Sequence, residues 1–171
     1  MIDFSKPTMM YDVSLIVENK KFYSNRAILN IWSNVFEIMF KSNFKEKESS
    51  EVYLMYKTYD DIHELLRFIY PPNKRITLVN IKRMLELADE YQMNELTSRC
   101  RQFLLTQRGT LDILLLAQRF QFADVVNRCS DHLMYTLTST IITNDIKIKE
   151  VNSEIMNTVL ISRIKHLESV I

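Results

Sequence analysis

The sequence predicts a mainly helical α+β fold, and three observations carry that prediction. Near the amino end, Val13, Leu15 and Val17 alternate with their neighbours in "DVSLIVEN", the period of a strand that buries one face. The second half instead repeats itself in a helical pattern: "LELADEYQMNELTSRCRQFL" at 85–104 aligns without a gap on "LLLAQRFQFADVVNRCSDHL" at 114–133. Finally, the 171 residues contain one glycine and three prolines, which suits helices joined by short connections.

Taken in order, the first strand is followed by a tight turn at Asn19-Lys20, and "KFY" returns as a second strand to make a hairpin. Asn25 is a good helix N-cap, because its side-chain oxygen accepts a backbone N–H that has no partner inside the helix. "RAILNIW" and "NVFEIMF" then read as two short helices parted at Ser33-Asn34. "SNFKEKESSE", 42–51, is rich in Ser, Lys and Glu and reads as a solvated loop, with Phe44 in its middle. "EVYLM" is a third short strand. In "YDDIHELLRFIY", Ile62, Leu65, Leu66 and Ile69 share one helical face. Asp60 and Asp61 suit the positive end of that helix dipole, and Pro71-Pro72 ends the helix. "RITL" adds a strand segment before the next helix.

In the repeat, Leu85/Leu114, Leu87/Leu116, Ala88/Ala117, Gln92/Gln121, Arg99/Arg128, Cys100/Cys129 and Leu104/Leu133 are identical. Each copy reads as helix, short turn, helix. Gly109 is expected to stop one helix and Thr110 to cap the next. Two copies are too few for a solenoid, so they are expected to pack as a pair. A last segment, "SEIMNTVLISRIKHLESVI", carries Met156, Val159, Leu160, Ile164 and Leu167 at helical spacing and is expected to close over the remaining apolar face.

Composition excludes several chemistries. With 22 Lys and Arg scattered along the chain and a net charge of +1, no basic stripe is available for nucleic acid. One glycine cannot build a phosphate-cradling loop, so no nucleotide cofactor is expected. No apolar run approaches the roughly 18 residues of a membrane span. The opening "MIDFSKPTMM" lacks a basic segment followed by an apolar core, and with two cysteines this predicts a cytosolic or nuclear protein. His63, His132 and His166 fall on separate helices without metal-ligand spacing, and the cysteines sit at equivalent repeat positions, as core residues would. Asp60-Asp61 is explained by a helix start, and Ser49-Ser50 has no histidine companion. No catalytic, metal or cofactor site is expected.

The order hairpin, helix pair, strand, helix, helical hairpins resembles the BTB/POZ domain. "DVSLIVENKKFYSNRAIL" is similar to that family's opening signature, with Asp12, Phe22, Ser24, Asn25, Arg26 and Leu29 in its places. Asn25 stands where many members carry His; the "SNFKE" and "IYP" strings resemble a nematode-type subgroup with Asn there. "YDDIHELLRFIY" and "LELADEYQMNELTSRCRQFL" are similar to its later helices. The resemblance runs from about residue 11 to 106, with 1–10 as an amino-terminal arm and 107–171 as a helical extension similar to a BACK segment. It implies a charged pair between Asp12 and Arg26 near a homodimer surface, with Ile28 and Trp32 as apolar contacts across a twofold axis. The arm is too short for the extra helix of the strongest dimers, and Trp32 reads equally well as core.

Many such proteins recruit a cullin scaffold as substrate-recognition subunits of a ubiquitin ligase, often through an apolar residue, any residue, then Glu in the loop after the second helix. Phe44-Lys45-Glu46 falls on that place. A partly exposed aromatic can lose its water in a partner's groove, and Glu46 can accept hydrogen bonds there. The opposing reading folds Phe44 back onto its own core, worth about 1.5–3 kcal/mol. In the extension, Leu111, Ile113 and Phe120 of "LDILLLAQRFQF" are candidates for a second cullin-binding groove, and each reads equally well as core. The expectation is therefore a non-enzymatic adaptor joining a cullin to a protein substrate of unknown identity. No MATH, kelch or zinc-finger segment is legible, so client capture falls to the carboxy-terminal helices, a partner chain or further sequence. The rivals are a homo-oligomerisation or scaffolding module that meets no cullin, and a degenerate copy without a partner.

Overall fold

The structure is a computed structural model that describes residues 2–41, 50–138, 142 and 145–170. The chain divides into two compact units, Met1–Cys100 and Arg101–Ile171.

In the first unit, β1 (Val13–Val17) pairs antiparallel with β2 (Lys20–Ser24) and parallel with β3 (Glu51–Tyr53), in the order β2-β1-β3. Val17 faces Lys20, so the connecting turn is Glu18-Asn19, one residue earlier than expected. Both residues have positive φ, 48° and 61°, the twist that lets a two-residue turn match its strands. Glu18 compensates for that unusual backbone with its side chain: Oε2 accepts the N–H of Tyr59 at 3.0 Å, at the start of the next long helix. All five residues of β1 are buried rather than one face alone. A central strand covered on both sides explains why Ser14 and Ile16 lie inside with Val13, Leu15 and Val17.

Helices α1 (Arg26–Trp32) and α2 (Asn34–Lys41) follow β2. Asn25 caps α1 as expected, its Oδ1 accepting from Ile28 N. Ser33 joins the two helices: its Oγ accepts from Phe36 N at 3.1 Å and donates to the Tyr91 carbonyl at 2.6 Å. After β3 come α3 (Tyr59–Ile69), capped by Thr58, then α4 (Ile81–Glu90). The phenol of Tyr70, just past α3, accepts the Asn25 N–H and pairs with Ser24 Oγ, both at 2.8 Å, which locks α3 to the end of β2. "RITL" forms no strand. Asn80 takes the Thr77 N–H on its side-chain oxygen and donates to the Arg75 carbonyl, so these backbone groups bond locally. Helix α5 (Asn94–Thr106) spans the division.

In the second unit, α6 (Leu111–Arg119) packs on α7 (Ala123–Thr136), and α8 (Ser153–Val170) packs on α7; a 3₁₀ turn, Ile146–Glu150, rests on α6. Thr110 caps α6 as expected. Gly109, however, has no positive φ and is not a left-handed helix stop. It is needed for close approach: a Cβ there would lie 2.8 Å from Cys129 Cα and 2.9 Å from His132 Cβ. Helix α8 closes over apolar surface only in part. Asn152, at its head, donates from its backbone N to Gln118, and Arg163 donates to the carbonyls of Met134 and Tyr135 in the last turn of α7. The helix therefore overshoots α7. Met156 and Val159 are buried, whereas Ile164 and Leu167 are about half exposed.

Candidate interaction surfaces

Helix α1 sorts its side chains by the 3.6-residue period. Leu29 is buried, and Ile28, Ile31 and Trp32, at i, i+3 and i+4, share a neighbouring face. Ile28 and Trp32 are half-buried, and the Arg99 guanidinium lies 4.8 Å over the Trp32 ring. Ile31, which sequence reasoning passed over, is 81% exposed; its spacing from Ile28 was the available signal. The arm lies at the head of this helix, because Asn25 Nδ2 donates to the Met10 carbonyl at 2.8 Å. Met9 and Met10 are both exposed. Phe4 pins the arm, buried against Tyr70 with its carbonyl accepting the Tyr23 N–H.

Asp12 and Arg26 do come together, through the backbone of Arg26. The Asp12 carboxylate accepts the Arg26 N–H at 2.8 Å, serving the first turn of α1 where a negative group is favourable. The Arg26 guanidinium lies 5.0 Å over the Phe40 ring of α2.

Phe44 and Glu46 fall within 42–49, outside the described residues. The segment that follows is described. Val52 and Leu54 point inward, and Tyr53 and Met55 alternate outward, about two-thirds exposed. Tyr56 is almost fully exposed and sits at φ 60°, a backbone strained for an aromatic residue. Because every residue from Val52 to Tyr56 is apolar or aromatic, the alternation carried no outward signal in the sequence.

The three candidates in the second unit separate. Leu111 and Ile113 are buried at 9% and 5% exposure and pack as core. Phe120 is half-buried, its ring stacked on Phe122 at 6.1 Å with the Arg119 guanidinium 5.4 Å from its centre. Of the three, Phe120 alone presents an accessible ring.

The charged groups that stand out have structural explanations. Arg83 grips Asp61 with two nitrogens, Nε to Oδ1 at 2.7 Å and Nη2 to Oδ2 at 2.6 Å, and those bonds hold the Asp61 carboxyl below the usual range. The same contacts push Arg83 further up. Burial pushes the Cys100 thiol up to about 12 and raises that of Cys129. Among the described residues, no cluster of His, Cys, Asp and Glu could hold a metal ion, and no helix is long and apolar enough to cross a membrane.

Comparison with known proteins adds an independent observation. The profile of the BTB/POZ domain matches residues 1–108. The chain is similar to BTB and MATH domain-containing protein 38 of Caenorhabditis elegans, 35% identical over 124 residues, covering 71% of this chain and 32% of that one. BTB and MATH domain-containing protein 36 of the same organism is 29% identical over 124 residues, covering 71% and 39%. Human Kelch-like protein 22 is 26% identical over 129 residues, covering 74% and 20%. The chain thus spans about a third of the length of these nematode relatives, and less of the human one.

Proposed function

The chain belongs to the BTB/POZ domain family, and from that premise we propose that it is a non-catalytic protein-interaction adaptor that binds a cullin scaffold and presents a protein client for ubiquitin transfer in the cytosol or nucleus. The observation that carries this reading is the position of Phe44-Lys45-Glu46, between the end of α2 at Lys41 and the start of β3 at Glu51. Its aromatic ring and carboxylate are the pair that a groove on a partner takes up, the ring by desolvation and Glu46 by accepting hydrogen bonds. Tyr53, Met55 and Tyr56, which come after it in the sequence, are exposed large hydrophobic side chains. In the second unit Phe120 makes the contact in the BACK-like extension, while Leu111 and Ile113 support α6 from within. The adaptor contributes binding free energy and geometry, and no bond chemistry.

A second reading has its own observation. Ile31, with Ile28 and Trp32, gives α1 an exposed apolar stripe suited to a homodimer. A module using this stripe to oligomerise serves as a scaffold whether or not it meets a cullin.

Binding of the chain to a cullin amino-terminal domain separates the two. Phe44→Ala and Glu46→Lys are each expected to weaken it about tenfold or more, with thermal unfolding unchanged. Full affinity in both variants overturns the cullin reading. Mass in solution tests the dimer: Ile31→Asp is expected to yield monomer.

A further inference from the structure

The connection between α3 and α4 carries a feature that neither reading uses. Leu78 is 56% exposed and Val79 is 95% exposed, at the tip of a turn closed by the Asn80 N–H donating to the Thr77 carbonyl at 3.3 Å. Turn tips ordinarily hold Gly, Asn, Asp or Ser. Val79 there contributes almost nothing to the folded core, and Leu78 is covered only in part.

The turn is rigidly held. Asn80 is buried, and its side-chain oxygen takes the Thr77 N–H at 2.8 Å while its amide donates to the Arg75 carbonyl at 3.2 Å. Upstream, Asn73 Nδ2 donates to the Phe68 carbonyl, and Lys74 is fixed by its N–H to the Arg67 carbonyl and by Nζ to Glu64. Leu78 and Val79 are thus projected from a preorganised backbone, which lowers the ordering cost of binding.

The charge around the tip that no ion pair neutralises among the described residues is positive. From Leu65 to Leu85 the sequence contains five Lys or Arg and no Asp or Glu. Lys74 is committed to Glu64, and Arg83 to Asp61 and Glu86. Arg75 and Lys82, on either side of the turn, are exposed and make no ion pair among the described residues.

We propose that this turn is a docking knob, in which Leu78 and Val79 enter an apolar pocket on a partner protein whose rim is acidic and faces Arg75 and Lys82. The apolar tip supplies desolvation, and the flanking cations select the acidic rim and hasten encounter. An anionic membrane is the lesser fit: surface attachment of that kind uses clusters of about four to eight basic residues, whereas only Arg75 and Lys82 are exposed without an ion pair here, Arg67 being half-buried, and the whole chain carries a net +1.

A displayed library of short random peptides, panned against the full chain, tests the proposal. Enriched sequences are expected to combine apolar residues with Asp or Glu. Val79→Glu should weaken them about tenfold or more, with unfolding temperature unchanged. Lys82→Gln should weaken them less, and rising salt should do so as well. Val79→Ser repeats the measurement with a smaller change. Absence of enrichment, enrichment without acidic residues, or peptides that ignore both Val79 variants overturns the proposal. Val79-dependent sedimentation with phosphatidylserine vesicles, in place of peptide binding, also overturns it and assigns the turn to lipid. Phe44→Ala and Glu46→Lys protein should keep its peptide binding, so failure here and failure of the cullin reading are read separately.

Discussion

Tyr91 and Phe120 hold equivalent places in the two helix–turn–helix copies, at the point where the first helix gives way to the turn. Tyr91 is 5% exposed and stacked on Phe36 at 5.0 Å. Phe120 is half-buried, beside Phe122 and Arg119. Leu87 and Leu116 differ in the same direction, buried in the first copy and half-buried in the second. The turns themselves match bond for bond. Gln92 donates to Asp89 and Met93 to Ala88, as Gln121 donates to Gln118 and Phe122 to Ala117. Both glutamines have positive φ, 49° and 57°, where most helices of this ending use glycine. Backbone hydrogen bonding therefore fixes the shape of the copy, and what packs outside it fixes the use of its aromatic residue.

The strongest way to break that comparison is to truncate both rings. Tyr91→Ala is expected to cost about 3–5 kcal/mol in denaturant unfolding, the range for removing a buried aromatic. Phe120→Ala should cost about 1 kcal/mol, since half of the burial is at stake. Equal losses would show that the two positions do the same job. Next in size is Gly109→Ala, about 1–3 kcal/mol from overpacking against α7. The equivalent residue of the first copy, Asn80, has room for a buried side chain, so the tight approach belongs to the second copy alone. The smallest effect sharpens the similarity instead. Gln92→Gly and Gln121→Gly should each stabilise by roughly 0.5–1 kcal/mol, because glycine adopts the left-handed turn without strain. A gain in one copy and a loss in the other would refute the shared turn.

Much of this architecture was legible where local chemistry and burial agree. Asn25 and Thr110 cap helices as their side chains predict, and the repeat is visible because six of its seven identities coincide with buried, half-buried or turn positions, Arg99/Arg128 being the exposed pair. Errors arose where the outcome depends on distant neighbours. Alternation in β1 could not show that β3 would pair with it and that helices would cover both faces. Gly109 looked like a left-handed stop because glycine usually is one, while the clash that selects it lies on α7. The "RITL" segment has strand-forming residues, yet Asn80 captures its backbone. For the candidate surfaces, residue type alone did not separate Phe120 from Leu111 and Ile113, since all three fit one apolar helix pattern and only packing divides them. Ile31 was readable from its spacing. Leu78 and Val79 were not, because an aliphatic pair before a helix ordinarily signals core.

The deep placement of Cys100 and Cys129 has a practical consequence. Thiol reagents attack the ionised sulfur, and burial keeps both of these protonated and shielded. The natural protein is accordingly expected to react little with maleimide dyes and spin labels while folded. A single cysteine introduced at an outward position such as Ile31 or Val79 would carry the only tag, and the environment of one surface could be followed at a time without first removing the native sulfurs.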